Sequence, residues 1–287
     1  MASYFFYRLF GWLAPRIPPR VGYWLFARIG DLFYWLDADG RRAVLDNLRH
    51  VVGPDASDSI LADKARLTFR MQAYNYFDLF RVPGMSAEEI EARSHVEGWE
   101  HLESAVARGQ GVILVSAHFG NVDVLLQILG IRGIKSSVVM ERLQPEPLFQ
   151  YVAGIRGRFG TKIVPVDASA RFLFRALRAG EVVVLVLDRD VTDSGVVIEF
   201  FGAPAKLPDG YARLARRTGA SVVIAFGLRL PDHQLRARVE PALHVPQTDD
   251  RAGDVRAIMR QALDIAEKHI AEHPEQWVMF RPIWKSC

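Results

Sequence analysis

His118 and Asp123 stand five residues apart, and this pair is the pattern in the 287-residue chain with the clearest chemical meaning. The histidine follows an apolar run at 112–116, at the end of a predicted buried strand, where parallel sheets bind ligands. Five positions along one straight helix differ by about 140°, so the side chains meet only if residues 119–121, which include a glycine and an asparagine, turn the chain. With that turn, Asp123 accepts from one imidazole nitrogen and fixes the tautomer, while the other nitrogen faces the cleft as a general base.

A nucleophile is missing from this arrangement, which otherwise has the form of a catalytic triad. The sequence has no Gly-x-Ser-x-Gly motif, and its one cysteine, Cys287, is the last residue. The attacking hydroxyl must therefore come from a substrate. The pattern predicts direct acyl transfer without an acyl-enzyme, in which His118 removes a proton from an acceptor alcohol as it attacks a thioester. General-base help is worth roughly 10²–10⁴ in rate. The alternative is a structural histidine, because the spacing alone is not specific.

Short apolar runs alternating with amphipathic segments must position this pair. From Val112 onward the pattern is typical of βαβ units, so we predict an α/β fold with a mostly parallel central sheet flanked by helices. The predicted strands are 112–116, 137–140, 162–165, 182–187, 221–228 and 235–239. The predicted helices are 40–52, 58–80, 122–129, 147–159, 170–179, 209–218 and 253–272. The segment from Asp190 to Leu207 is predicted as an extended loop, long enough to serve as a lid.

The N-terminal segment is unusually aromatic, since 12 of the 31 aromatic residues lie between Tyr4 and Leu36. Charges and prolines interrupt every candidate membrane span. We predict two short helices, at 3–14 and 20–36, that form a hairpin and lie on a membrane surface through residues 4–36. Packing on the protein's own core or on a second subunit is the alternative, and the two arrangements are compatible. We therefore divide the chain into a membrane-docking segment, 1–40, and a single α/β acyltransferase domain, 41–287.

Composition bounds the class of protein. Lys and Arg total 36 against 33 Asp and Glu, for a net charge of +3, so a nucleic-acid partner is not expected. A single cysteine excludes disulfides within the chain and fits a reducing compartment.

Two acids follow the predicted strand at 182–187, namely Asp188 and Asp190. Alternate strand residues point to opposite faces, so only one of them should enter the cleft, and we assign Asp188 to it.

The spacing of His269 and His273 matches an inverted zinc-peptidase motif. A proline follows His273 directly and leaves it at a fraying helix end, so we predict no metal site.

Several sequence blocks together resemble one protein family. Besides Ser116-Ala-His118-Phe-Gly-Asn-Val-Asp123, they are Glu141-Arg142-Leu-Gln-Pro145-Glu, Asp188-Arg189-Asp190, Glu199-Phe-Phe-Gly-Ala-Pro204, Leu214-Ala-Arg-Arg-Thr-Gly219 and His273-Pro-Glu-Gln-Trp277. From about Leu45 to Trp284 the chain resembles the bacterial lipid A late acyltransferases and the related phosphatidylinositol mannoside acyltransferases, within the lysophospholipid acyltransferase superfamily.

The resemblance implies a peripheral enzyme on the cytoplasmic face of the inner membrane. It would move a fatty acyl chain from acyl-CoA or acyl carrier protein to a glycolipid hydroxyl, with no cofactor beyond acyl-CoA as co-substrate. The blocks at Glu141 and Asp188 resemble the mannoside-acylating branch more than the lipid A branch, which usually has another residue in place of Arg189. We therefore expect a phosphatidylinositol mannoside-type acceptor before a lipid A-type one.

The same resemblance distributes roles among the candidate site residues. The expected catalytic residues are His118, Asp123 and Asp188. The expected substrate-binding residues are Glu141, Arg142, Arg156 and Arg189. Two other functions stay open, a catalytically inactive lipid-binding protein of the same fold and a lipid or thioester hydrolase. Replacement of His118 and a comparison of CoA release with and without acceptor separate the three.

Overall fold

The computed structural model describes residues 1–284, and all of their side chains except those of Ala2, Ala168 and Ser169; the tail cysteine Cys287 lies outside the described residues. The helices are α1 Ala2–Leu13, α2 Pro19–Leu36, α3 Ala38–Val52, α4 Asp58–Arg81, α5 Ala87–Ala92, α6 Trp99–Ala107, α7 Val122–Ile131, α8 Glu146–Arg156, α9 Ser169–Arg178, α10 Gly210–Thr218 and α11 Arg251–Glu272. The strands are β1 Ser94–Glu97, β2 Val112–Ser116, β3 Ser136–Met140, β4 Lys162–Pro165, β5 Val182–Val186, β6 Val196–Phe200, β7 Ala203–Leu207, β8 Ser221–Arg229 and β9 Leu235–Val239.

Seven of these strands form one sheet, in the order β1-β9-β8-β2-β5-β3-β4. The five strands from β8 to β4 run parallel, whereas β9 is antiparallel to β8 and carries β1 parallel to itself. The predicted α/β class with a mostly parallel sheet is therefore confirmed. The carboxyl ends of β2, β3, β4, β5 and β8 meet at one edge of this sheet, which is the edge that the sequence selects for the site.

The strand β2 is buried on both faces, because helices cover both sides of the sheet. Ile113 and Val115 pack into a core with α9, α10 and α11, and Val112 and Leu114 pack on the other side against α6 and α7. This two-sided burial explains why the strand is an uninterrupted apolar run in the sequence. It also holds the residue after the strand at a fixed position on the sheet edge.

The two helices predicted at the N-terminus are present as α1 and α2, and each packs on α4, whereas their arrangement as a hairpin stays a prediction. Gly22 allows close contact there, because a Cβ at this position would lie 1.9 Å from Cζ of Phe77. Asp31 of α2 accepts from Arg66 Nε at 2.7 Å and from Arg70 Nε at 2.6 Å. The side of α1 and α2 that faces α4 therefore packs on the protein's own core, which was the alternative to membrane docking. The division of the chain at residue 40 stays a prediction.

Both α1 and α2 expose large apolar side chains, and we call the surface that these side chains make up the aromatic face. Its most exposed members are Phe5, Phe6, Leu9, Trp12, Val21, Trp24, Leu32, Phe33, Trp35 and Leu36. Within residues 1–284 no helix has the length and hydropathy needed to cross a membrane.

The segment predicted as a loop between Asp190 and Leu207 is instead mostly a hairpin of β6 and β7. Its two-residue turn is Phe201-Gly202, with φ of 49° and 71°, the left-handed geometry of tight hairpin turns. Phe200 is fully buried in the main core. The prediction of an extended loop was therefore wrong, and a lid no longer follows from loop length. The short elements β1, α5 and α6 were missed as well.

Candidate active site

Strand order brings His118 and Asp188 together. The strands β2 and β5 are parallel neighbours with Ser116 opposite Val186, so the residues two positions beyond each strand end lie side by side. His118 Nδ1 lies 2.9 Å from Asp188 Oδ1, and the His118 backbone N–H donates to Asp188 Oδ2 at 2.7 Å. Because a carboxylate can only accept, Nδ1 carries the proton of the neutral ring and Nε2 has a free lone pair.

Asp188 is a buried, charged acceptor. Its side chain is fully buried, and the Trp277 indole N–H donates to its Oδ2 at 2.9 Å. Burial raises the pKa of this carboxyl, but the adjacent His118 and the hydrogen bonds from His118 and Trp277 outweigh burial, so the pKa lies below its ordinary value. The imidazole faces outward, since 37% of the His118 side chain is exposed. The imidazole of the pair is therefore exposed to solvent as a base, whereas the Asp188 carboxylate that would balance its positive charge is buried.

Asp123 makes a different contact from the predicted one. Its Oδ1 accepts from Arg156 Nε at 2.5 Å, so the predicted hydrogen bond from His118 Nδ1 to Asp123 is wrong and goes to Asp188 instead. The turn itself is present: Gly120 has φ of 59°, and a Cβ there would lie 1.6 Å from the carbonyl oxygen of Gly227. After this turn Asp123 lies in the first turn of α7 and faces α8. A catalytic role for Asp123 stays a prediction.

The pair of Asp123 and Arg156 lies near Tyr7 of α1. Burial raises the pKa of the Tyr7 phenol, and Tyr76 and Asp123 raise it further. The Tyr7 and Tyr76 rings meet edge to face at 6.1 Å between centroids. Helix α1 therefore reaches residues of the predicted site, which no pattern in the sequence indicated.

Three of the four predicted substrate-binding residues follow β3 or β5, the fourth, Arg156, ends α8, and the four do not form one cluster. Arg189 Nη2 pairs with Glu141 Oε2 at 2.7 Å. Arg142 instead pairs with Glu146 Oε2 at 2.8 Å and lies 3.5 Å from Asp167. The first pair joins neighbouring strand ends next to Asp188, whereas the second pair fastens the start of α8.

Asp190 follows the expectation for the second acid of its strand end. It accepts from the backbone N–H groups of Thr192 and Gly195 and caps its own loop. Of the two acids, Asp188 is the one that contacts His118.

Among residues 1–284 no group of three or more His, Cys, Asp or Glu side chains could hold a metal ion. His269 Nε2 lies 2.9 Å from Glu240 Oε1.

Two further contacts hold the turn that carries His118, and no sequence pattern indicated them. The Val278 N–H donates to the His118 carbonyl at 2.8 Å, and the Gly120 N–H donates to the Gln276 carbonyl at 2.9 Å. Gln276 belongs to the block ending at Trp277, which is 2% exposed, and Val278 directly follows that block. A buried indole N–H needs an acceptor, and that requirement was the available signal for Trp277.

A second buried acid, Asp78 of α4, braces the same turn from the other side. Its Oδ2 accepts from Asn121 Nδ2 at 2.9 Å and from Arg229 Nη2 at 2.6 Å, and its Oδ1 accepts from the Tyr23 hydroxyl at 2.6 Å. Burial raises the pKa of Asp78, but Arg229 and Arg93 outweigh burial and lower it overall. We call Asp78 and the residues that contact its carboxylate the Asp78 cluster: Tyr23, Arg93, Asn121 and Arg229.

Comparisons with known proteins agree with the motifs. The family model for bacterial lipid A biosynthesis acyltransferases matches residues 1–286. A phosphatidylinositol mannoside acyltransferase of Mycobacterium tuberculosis (strain CDC 1551 / Oshkosh) is 31% identical over 292 residues, covering 96% of this chain and 86% of that protein. Its counterpart in Mycolicibacterium smegmatis is 31% identical over 83% of this chain and 77% of its own length.

A more distant relative is the lipid A biosynthesis acyltransferase of Haemophilus influenzae, which is 25% identical over 73% of this chain and 65% of its own length. The resemblance inferred from the motifs is confirmed, and the family match also includes the residues before Leu45.

Proposed function

Because this chain belongs to the bacterial lipid A biosynthesis acyltransferase family, we propose that it moves a fatty acyl chain from a thioester to a glycolipid hydroxyl, with His118 as the general base. The observation that carries the proposal is the His118–Asp188 pair at the ends of two adjacent parallel strands. Its outward nitrogen can accept a proton, and its inward nitrogen is held by a buried carboxylate. The donor is acyl-CoA or acyl carrier protein, used as a co-substrate.

The chemistry follows from the two ring nitrogens. Nε2 of His118 takes the proton from the acceptor hydroxyl as that oxygen attacks the thioester carbonyl. Asp188 stabilises the imidazolium that forms, as the buried acid does in a catalytic triad. The tetrahedral intermediate then collapses, the carbon–sulfur bond breaks, and Nε2 returns the proton to the leaving thiolate. The protein supplies no covalent nucleophile in this sequence of steps.

The acceptor we favour is a phosphatidylinositol mannoside-type glycolipid, with a lipid A-type glycolipid second. The relatives named for the former are 31% identical to this chain, against 25% for the one named for lipid A. The paired Arg189 and Glu141 next to Asp188 offer a donor and an acceptor to sugar hydroxyls. Asp123 and Arg156, on α7 and α8, supply a second such pair.

Replacement of His118 by Ala tests the enzyme assignment. We expect the initial rate of acyl transfer from a fatty acyl-CoA to a phosphatidylinositol mannoside to fall about 10²–10⁴-fold. The matched control is His95→Ala, which removes an imidazole whose side chain is 69% exposed and lies outside the site. Transfer that survives in His118→Ala would refute the role of this base, and a lipid-binding protein would show no transfer even before mutation.

Release of CoA distinguishes transfer from hydrolysis. An acyltransferase releases CoA much faster when the acceptor glycolipid is present, whereas a thioester hydrolase releases it at the same rate without acceptor. The wild-type chain should therefore show strong stimulation by the glycolipid. Equal rates with and without acceptor would replace the proposed transfer by hydrolysis.

The aromatic face supports a peripheral position on a membrane surface, and the side we propose is the cytoplasmic side of the inner membrane. Trp24 and Trp35 are 63% and 69% exposed. Burying one such side chain in the lipid interface contributes about 1.5–3 kcal/mol, so Trp24→Ser and Trp35→Ser should each weaken binding to phosphatidylcholine vesicles about tenfold or more. Val197→Ser is the control, since Val197 is exposed outside this face.

Sedimentation with vesicles measures this effect, and the molar mass in solution measures the alternative. If the two serine variants bind vesicles like the wild type but change the molar mass from that of an oligomer to that of a monomer, the face joins subunits and membrane docking is wrong.

A further inference from the structure

A cavity of about 230 Å³ lies beside the first turn of α2, away from His118. It is bounded by Pro19 and Tyr23 of α2, by Arg81 at the end of α4, by Arg93 before β1, and by the loop at 232–234 after β8. This cavity is separate from the proposed catalytic pair, and two of its lining residues, Tyr23 and Arg93, also contact the buried Asp78.

The charges around the cavity do not balance. Three guanidinium groups surround the buried Asp78 carboxylate: Arg229 and Arg93 donate to it at 2.6 and 3.2 Å, and Arg81 Nη1 lies 3.9 Å away. Of these residues Arg81 and Arg93 line the cavity, and the acid among its lining residues is Asp232, an exposed residue. Two arginines and one carboxylate thus line the cavity, and the positive end of the α2 dipole adds to this excess of positive charge.

Two nitrogens of the lining residues are buried without a hydrogen bond to the described part of the chain. They are Arg81 Nη1 and His233 Nδ1. The His233 ring is held flat against Tyr23, with ring centroids 3.7 Å apart. A buried polar group of this kind is costly unless something pairs with it. Arg81 thus keeps a guanidinium donor that its 3.9 Å ion pair with Asp78 leaves without a hydrogen bond, and an anion can accept from that donor.

The cavity also adjoins the aromatic face. Pro19 and Tyr23 line it, while Val21 and Trp24 on the same helix are 53% and 63% exposed. Guanidinium groups match the oxygen geometry of a phosphate. A ligand that carries a phosphate next to an apolar tail fits both surfaces at once.

We propose that this cavity binds the phosphate group of a phospholipid headgroup, at a site distinct from the one where acyl transfer is proposed. The site fixes how the aromatic face sits on an anionic lipid surface. Its test needs no turnover, so its failure would leave the proposed acyl transfer untouched.

Calorimetric titration of the full chain with inorganic phosphate is the first measurement. We expect one site in the wild type, and binding weakened about tenfold or more in Arg81→Gln, which loses a charged donor. The matched control is Arg20→Gln, because Arg20 is exposed beside Pro19 but does not line the cavity. Arg20→Gln should bind phosphate like the wild type.

A gain of binding provides a second variant that does not depend on the stability of Arg81→Gln. Asp232→Asn removes the negative charge of the exposed acid in the lining. Its amide oxygen can still accept the hydrogen bond that the Gln234 N–H donates to Asp232. It should bind phosphate several-fold more tightly than the wild type. Phosphate affinity that is the same in wild type, Arg81→Gln and Asp232→Asn would overturn the site.

Vesicles distinguish a lipid headgroup from free phosphate. The wild type should prefer vesicles of phosphatidylcholine with phosphatidic acid over phosphatidylcholine alone, and Arg81→Gln should lose more of this preference than Arg20→Gln. If Arg81→Gln weakens the binding of inorganic phosphate but both variants keep the same vesicle preference, the ligand is free phosphate and the headgroup assignment is wrong.

Discussion

Two buried aspartates lie near the same edge of the central sheet, and they differ in what their partners can do. Asp188 accepts from His118 and Trp277, and Asp78 accepts from Tyr23, Asn121 and two arginines. The pKa of each carboxyl lies below its ordinary value, so both are charged at neutral pH.

The two aspartates differ in whether the partner side chain can transfer a proton and in how exposed that side chain is. The His118 imidazole has a second ring nitrogen with a free lone pair, and 37% of its side chain is exposed. Arg229 stays protonated, and 1% of its side chain is exposed. The same buried carboxylate thus supports proton transfer in one place and fastens secondary-structure elements in the other. Substitutions at the two aspartates should separate these roles.

Asp188→Asn should give the largest effect on the reaction. An amide in place of the acceptor can select the wrong imidazole tautomer, and in catalytic triads this change costs about 10⁴ in kcat. We expect a loss of that order in the steady-state rate of acyl transfer.

Asp123→Asn is the matched control for that experiment. Because Asp123 pairs with Arg156 rather than with His118 Nδ1, its replacement should lower kcat much less. A larger loss in Asp123→Asn than in Asp188→Asn would restore the pairing expected from the sequence and contradict the one described here.

Asp78→Asn should act mainly on stability. Removing one charge from a buried ion pair leaves the other uncompensated and typically costs about 3–5 kcal/mol in the free energy of unfolding. Chemical denaturation measures this loss. The rate per folded molecule should fall far less than in Asp188→Asn, and an equal fall would show that both aspartates serve the reaction.

Acid pH sharpens the same contrast. Both carboxyls have folded-state pKa values below the unfolded value of 3.8. Their contribution to stability is therefore present above pH 3.8 and is lost as the pH falls through the folded-state pKa values. The free energy of unfolding of the wild type should drop in this acid range. The drop should be smaller in Asp78→Asn, and an unchanged slope would contradict the lowered pKa of Asp78.

Trp277→Phe should have the smallest effect of the series. It removes one donor from Asp188 and keeps an aromatic ring in the core. A carboxylate that shares its charge with fewer donors attracts the His118 proton more strongly. We expect kcat to fall several-fold and the acid limb of its pH profile to move to higher pH. A profile identical to that of the wild type would limit Trp277 to packing.

Local patterns predicted most of the elements. The helices at the N-terminus and the strands β2, β3, β4, β5, β8 and β9 agree with the sequence to within one or two residues. The hairpin β6–β7 was missed because it lies among turn residues and contains Pro204, which is rare in a strand except at an edge. The four-residue β1 is too short for its alternation to stand out.

The sequence by itself determined that a histidine follows a buried strand and that Gly120 turns the chain after it, because strand burial and backbone conformation are set by neighbouring residues. Only the tertiary structure decided which acid holds that histidine. The hydrogen bond from His118 to Asp188 joins residues 70 positions apart, and it depends on β5 lying beside β2. That adjacency follows from the packing of the whole sheet, which no spacing between nearby residues specifies.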